Sequence, residues 1–224
     1  MHRTISLGRC SMAVALATIL LTSPAAGFAQ LGGLPPPPPL PLPSPPAPAS
    51  SAIVGNASAA RVSVLGILGT AMTTALADTG TLTTAYNALD ASTLAGGIPA
   101  ALSAETLSAS TISWPNQVDS AASLGNLSMT VAGVGITADF VMAEASQVQG
   151  AAGTGSSTLT NLVINGVPIA VSGAPNQAIS IPGGQVIINQ QTISSTGAAA
   201  VNALHVVVSG VADVVVASAT AGVS

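Results

Sequence analysis

From Val134 to Met142, apolar side chains fall on alternate positions. Val134, Ile136, Ala138, Phe140 and Met142 are separated by polar or small residues that include Gly135, Thr137 and Asp139. A period of two predicts a half-buried strand with those five side chains on one face. Further along, short apolar runs come in pairs around glycine. Leu162-Val163-Ile164 and Val167-Pro168-Ile169 flank Asn165-Gly166. Asn-Gly supplies the two positive φ angles of a type I′ turn, so the pair predicts a β-hairpin. Pro168 has no N–H to give a ladder and restricts the second strand to an edge or irregular position. Ile179-Ser180-Ile181 and Val186-Ile187-Ile188 flank Pro182-Gly183-Gly184, and Val206-Val207-Val208 and Val211 to Val216 flank Ser209-Gly210. The spacing of these units is irregular, which predicts repeated hairpins and not a solenoid. The alanine-rich stretch from Ala71 to Leu107 is ambiguous. Alanine favours helix, frequent Thr and Gly favour strands and loops, and the stretch leaves room for a short helix near Ala100 to Glu105. The predicted fold class is all-β: an antiparallel, hairpin-rich β-sandwich, with two packed sheets preferred over a closed barrel.

Ahead of this pattern lie two segments of different character. Arg3 and Arg9 precede the apolar run Met12 to Leu21, Pro24 breaks it, and Gly27-Phe28-Ala29 offers small residues at the cleavage-determining positions. This is the order of a secretory signal peptide, with residues 1–29 removed by cleavage after Ala29. Residues 30–57 form a proline-rich linker, with Pro35 to Pro39 in one run and Pro41, Pro43, Pro45, Pro46 and Pro48 behind it. Such a stretch excludes helix and inner strand and favours a polyproline II rod. No basic residue flanks the prolines to orient a binding groove, so a stiff spacer is the expectation. Residues 58–224 then constitute the β-rich domain. Within it, no apolar run reaches the length of a membrane helix. The run from Val206 to Val223 comes nearest and is interrupted by Asp213, Ser and Gly. No transmembrane span is expected in the mature chain.

Composition changes the functional picture more than the fold. Charged residues make up 4% of the 224, against about a quarter in an average domain. After signal cleavage, Arg61 is the sole base against Asp78, Asp90, Glu105, Asp119, Asp139, Glu144 and Asp213. Nucleic acid is thereby excluded as a partner, since binding it needs a basic footprint. Cys10, the only cysteine, lies ahead of the apolar run. The mature protein therefore has neither disulfides nor thiolate metal sites. His205 is its only histidine. One imidazole without cysteine cannot build a zinc site, and the acids lack calcium-loop spacing. Gly150 to Gly155 ends without the Lys-Ser/Thr of a phosphate cradle. A serine-nucleophile site would have to use His205 as its base. If Ser209-Gly210 is a two-residue turn, His205 faces Val214 and Asp213 pairs with Val206. His205 and Asp213 then lie on opposite faces of the sheet. Trp114-Pro115 and Tyr86 read as core or loop packing and not as a ligand platform. No catalytic, cofactor-binding or metal-binding residue is assigned.

In the C-terminal half the order of blocks becomes specific. Leu159-Thr-Asn-Leu-Val-Ile-Asn-Gly-Val-Pro-Ile-Ala-Val171 is followed by Pro175-Asn176 and Val186-Ile-Ile-Asn-Gln-Gln191. Then come Val201-Asn-Ala-Leu-His-Val206 and Ala212-Asp-Val-Val-Val-Ala-Ser-Ala219. This order resembles the choice-of-anchor P family of exported bacterial surface proteins, over a stretch from about Ala59 to the end. The resemblance implies a secreted or cell-surface domain and carries over no catalytic or binding residues. No Leu-Pro-x-Thr-Gly motif follows the domain here, so release or non-covalent retention is expected. Two functional readings stand: a non-catalytic structural or adhesive module, and a binding module for a polymer or small ligand in a sheet groove. An outer-membrane barrel fits the alternating strands but not the scarcity of aromatics, 2% of the chain, because such barrels carry aromatic girdles. The partners expected are a cell-envelope component or further copies of the chain, since sheet edges with so few charges are weakly guarded against pairing.

Overall fold

Long runs of Val, Ala, Thr and Ser, punctuated by glycine at the turns, give extended chain throughout. The computed structural model describes residues 52–65 and 71–224. The signal segment and residues 30–51 of the proline-rich linker lie outside the described residues. Among the described residues there are thirteen strands and no helix. They are β1 (Ile53–Leu65), β2 (Ala71–Asp78), β3 (Asn87–Ile98), β4 (Leu102–Trp114), β5 (Gln117–Val131), β6 (Val134–Val148) and β7 (Thr154–Thr160). After these come β8 (Val163–Ile164), β9 (Val167–Pro168), β10 (Gln177–Ile181), β11 (Gly184–Ile193), β12 (Ala199–Val208) and β13 (Ala212–Val223). They form two antiparallel sheets packed face to face, the β-sandwich expected from the hairpin pattern. The first sheet runs β10-β11-β12-β13-β1-β2, and the second runs β3-β4-β5-β6-β8-β9 with β7 also on β6.

Several local readings hold. Asn165 and Gly166 have φ of 49° and 78° and join β8 to β9, with Ile164 paired to Val167. Pro168 lies in β9 at the sheet edge, where its missing N–H costs no ladder bond. Two expectations are corrected. β1 begins at Ile53, so Ile53–Ala57 are part of a sheet and the linker ends earlier than residue 57. The short helix over Ala100–Glu105 does not form. Pro99 and Ala100 belong to a turn, Ala100 has φ 60°, the Ala101 N–H donates to the Ile98 carbonyl, and β4 starts at Leu102. A six-residue helix cannot repay its nucleation cost, whereas the strand buries Leu102 and Ala104 in the core.

The alternation itself is interrupted by a crease across each sheet. In the first sheet the paired registers skip Ala77, Ala59, Ala217, Ala203 and Asn189, one residue on each of five neighbouring strands. In the second they skip Leu94 and Thr106, become irregular around Glu105 and Gly125, and skip Asn126 and Asp139. Ala77, Thr106, Asn126, Asn189 and Ala217 have φ between 44° and 52°. Each crease reverses which face successive residues point to. On β6, Val134, Ile136 and Ala138 are buried as predicted, but beyond the crease Val141 and Ala143 point inward. Phe140 and Met142 are turned to the outer face, contrary to the simple alternation.

Between the sheets the core is built from small side chains. Ala57, Ala59, Ala109, Ala143, Ala203, Ala217 and Ala219 are all fully buried beside Val, Leu and Ile. The sheets approach closely enough for side chains of one to reach the backbone of the other. Ser120 Oγ of β5 donates to the Thr220 carbonyl of β13 at 2.7 Å, and Gln147 Oε1 of β6 accepts from the Val223 N–H at 2.8 Å. Gly155 of β7 lies against Val201 of β12, and a Cβ there would collide with the valine side chain. Gly155→Val is therefore expected to destabilise the domain by about 1–3 kcal/mol through overpacking, read as a lower denaturant midpoint. Gly166→Val should cost at least about 1 kcal/mol by forcing a β-branched residue to positive φ. Unchanged midpoints in that variant would mean that this turn does not hold the hairpin register.

Candidate functional site

The outer face of the first sheet carries His205, the one imidazole among the described residues, and the structure corrects its surroundings. β12 and β13 are joined by three residues, Ser209-Gly210-Val211, with Val208 paired to Ala212. The two-residue turn expected from the sequence is thus one residue too short. The added residue pairs His205 with Val215 and Val207 with Asp213, which puts His205 and Asp213 on the same face as diagonal neighbours. His205 Nε2 lies 3.0 Å from Asp213 Oδ1. Its Nδ1 lies 2.8 Å from Gln190 Oε1, which also accepts from Asn202 Nδ2 at 2.8 Å. In a nucleophilic triad, the imidazole nitrogen not held by the acid faces a hydroxyl or thiol. Here that nitrogen faces an amide oxygen.

A second polar cluster lies on the same face toward β2. Arg61 Nη2 is 3.2 Å from Asp78 Oδ2. Partial burial pushes the Asp78 carboxyl up. Hydrogen bonds from the Gly80 N–H and from Arg61, the Arg61 charge, and a bond from Asn56 outweigh that and hold it below the ordinary 3.8. A depressed carboxyl stabilises the fold fully above its unfolded value and progressively less as pH falls through its folded value. Stability of the parent should thus drop below about pH 4. Asp78→Asn should flatten that part of the profile, measured as thermal midpoint against pH.

The second sheet's outer face is different in kind. Its register aligns Asp90, Ser110, Ala121, Glu144 and Ser156 in one row across β3 to β7. The next row holds Ala88, Ile112, Asp119, Ser146 and Thr154, and the next Trp114, Gln117 and Val148. Glu105 and Asp139 stand exposed at the crease. Five of the seven carboxylates therefore project from this face. Their hydrogen-bond partners are neutral: Gln117 to Asp119 at 2.8 Å, Asn126 to Glu105 at 2.7 Å, Ser156 to Glu144 at 3.2 Å and Asn161 to Asp139 at 2.6 Å. The aromatics also correct an expectation. Tyr86 and Trp114 are not core packing, since they are 81% and 41% exposed, and Phe140 is 36% exposed. Tyr86 directly precedes β3 and Trp114 ends β4, next to the paired Asn87 and Ser113.

An open groove of about 450 Å³ runs over β5, β6 and β7, lined by Asp119, Ala121, Glu144, Ser146, Thr154, Gly155 and Ser156 among others. Its floor is low because the outward Ala121 has only a methyl side chain, while carboxylates and hydroxyls form its walls. A recess of about 520 Å³ at the β3–β4 turn has neither an ionisable nor an aromatic side chain in its lining, so the groove is the better candidate site. Sequence reasoning placed none of these residues in a site. Period-two polar positions on β5 and β6 mark an outward face, but only the register makes Asp119 a neighbour of Ser146. Among the described residues, no group of three His, Cys, Asp or Glu side chains gathers in a geometry suited to a metal ion. No protein family, curated protein or solved structure matches the chain.

Proposed function

We propose that this is an exported, non-catalytic module, secreted or held at the cell surface, with a structural or adhesive role. The observation that carries the reading is the contrast between the two outer faces. On the first sheet the polar groups are engaged with one another, as in Arg61–Asp78 and Gln190–His205–Asp213. On the second sheet four of the five carboxylates are held by neutral partners and none by a base, and the aromatic side chains are exposed. That face retains capacity for contact with something outside the chain. The engagement of both His205 ring nitrogens argues for a polar brace and against a proton-transfer role. The signal-like segment supports export, and the block order that resembles the choice-of-anchor P family agrees with a surface location.

The edge strand β3 offers a route to self-association within the same reading. It is twelve residues long, carries Asp90 as its single charge and contains no proline. Such an edge leaves backbone donors and acceptors open to another strand.

Two measurements test the proposal. Intact mass of the exported protein should give Gln30 as the first residue, and protease shaving of intact cells should remove the domain or find it in the medium. A protein confined to the cytoplasm overturns the reading. His205→Gln and Asp213→Asn, made separately, should leave any surface phenotype intact while shifting stability modestly. Loss of the phenotype with folding and export preserved would mean that the pair performs chemistry.

A further inference from the structure

We infer that the groove beside Trp114 binds an extended, uncharged sugar polymer. This deepens the surface-module reading and rests on its contact face. Trp114 is the only tryptophan of the chain and is 41% exposed, at the end of the strand that borders the groove. An exposed indole presents a flat, electron-rich face, onto which the C–H face of a pyranose ring packs while its hydroxyls remain at the rim. Beyond the ring the acceptors are placed in steps. Gln117 pairs directly with Trp114, and Asp119 lies one row further along β5, diagonal to Trp114. Ser146 stands beside Asp119 in the same row, and Glu144 is in the row after. Rows on one sheet face are separated by about 6.6–6.8 Å along a strand, and strands by about 4.8 Å. The track from the indole to Ser146 is therefore about 12 Å by that geometry, room for two to three linked hexoses.

The polar groups are already oriented before any ligand arrives. The Gln117 amide holds Asp119 Oδ2 at 2.8 Å, and the Ser156 hydroxyl holds Glu144 Oε2 at 3.2 Å. Each carboxylate keeps its other oxygen for a sugar hydroxyl. This pre-orientation lowers the ordering cost of binding. The charge of the face selects among polymers. Five carboxylates without a base repel phosphate- and uronate-bearing chains, and the hydroxyl-lined walls match uncharged hydroxyls. The open shape of the groove suits a chain passing across it in place of a small molecule enclosed by it.

The test is affinity electrophoresis of the purified protein through native gels. The gels contain hydroxyethylcellulose, xylan, mannan or laminarin, with polygalacturonate and chitosan oligomers as charged comparisons. Retardation by at least one neutral polymer is expected, and it should persist in about 1 M NaCl, where charge attraction is screened. Trp114→Ala should weaken it at least tenfold, Asp119→Asn several-fold, and Trp114→Phe less than Trp114→Ala. Phe140→Ala, on the same face but outside the groove lining, should leave it unchanged. Denaturant midpoints verify that each variant is folded, and a bound-state change in Trp114 fluorescence reports on the ring directly. Retardation indifferent to Trp114→Ala and Asp119→Asn overturns the inference. So does retardation by chitosan alone that disappears in salt, and so does an absence of retardation by every neutral polymer. The surface reading fails separately: a domain shaved from intact cells without glycan retention overturns only this inference, and glycan retention by a cytoplasmic protein overturns only that reading.

Discussion

The close approach of two sheets across an alanine- and valine-rich interface is the constraint on which the rest depends. Small side chains contribute little buried area each, so the core must use many of them and must leave no gaps. The approach lets polar side chains cross the interface. Ser120 and Gln147, both nearly fully buried, bond the facing or flanking backbone, and Ser120 Oγ also pairs with Thr111 Oγ1 at 2.6 Å. Among the described residues every buried side-chain nitrogen or oxygen has a partner. Such bonds are worth little net when made but are costly to leave unmade, which makes them fix the alignment of the sheets more than add stability. The same proximity explains why Gly155 faces Val201, because any side chain at 155 would have to displace the opposite sheet.

The creases are the second determinant, and they carry a cost. A non-glycine residue in left-handed conformation loses roughly 1–2 kcal/mol, and Ala77 and Ala217 accept it within paired strands. What the crease provides is a change of facing. His205 and Asn202 are three residues apart on β12 and would point to opposite sides of a regular strand. The skipped Ala203 and Asn189 put Asn202 and Gln190 on the same side as His205. A polar brace across β11, β12 and β13 follows from an irregularity that also keeps Ala203 and Ala217 buried.

The outer faces then divide the chemistry. One binds its own polar groups together. The other places carboxylates and hydroxyls around a shallow groove over Ala121, with exposed rings elsewhere on the same face. With charge so sparse in the chain, this one-sided distribution makes the two outer faces chemically distinct. That argument supports a contact role without requiring a reactive centre.

The sequence by itself determined the all-β class, the Asn165-Gly166 hairpin and the edge position of Pro168. These follow from local rules: side-chain alternation, the φ demands of a turn, and the missing proline N–H. Its composition determined that chemistry resting on cysteine or on several histidines was closed to residues 58–224, which hold no cysteine and one histidine. The tertiary structure alone decided which residues meet. Whether His205 reaches Asp213 depended on one residue of turn length, because a register slip of one moves every side chain to the other face. Whether Phe140 is core or surface depended on a crease that no period-two count reveals. Whether Trp114 lies one row from Asp119 and Ser146 on a shared face depended on the pairing of β4, β5 and β6. Pairing is a relation between distant segments, and the local pattern of each strand fits more than one register until the sheets pack.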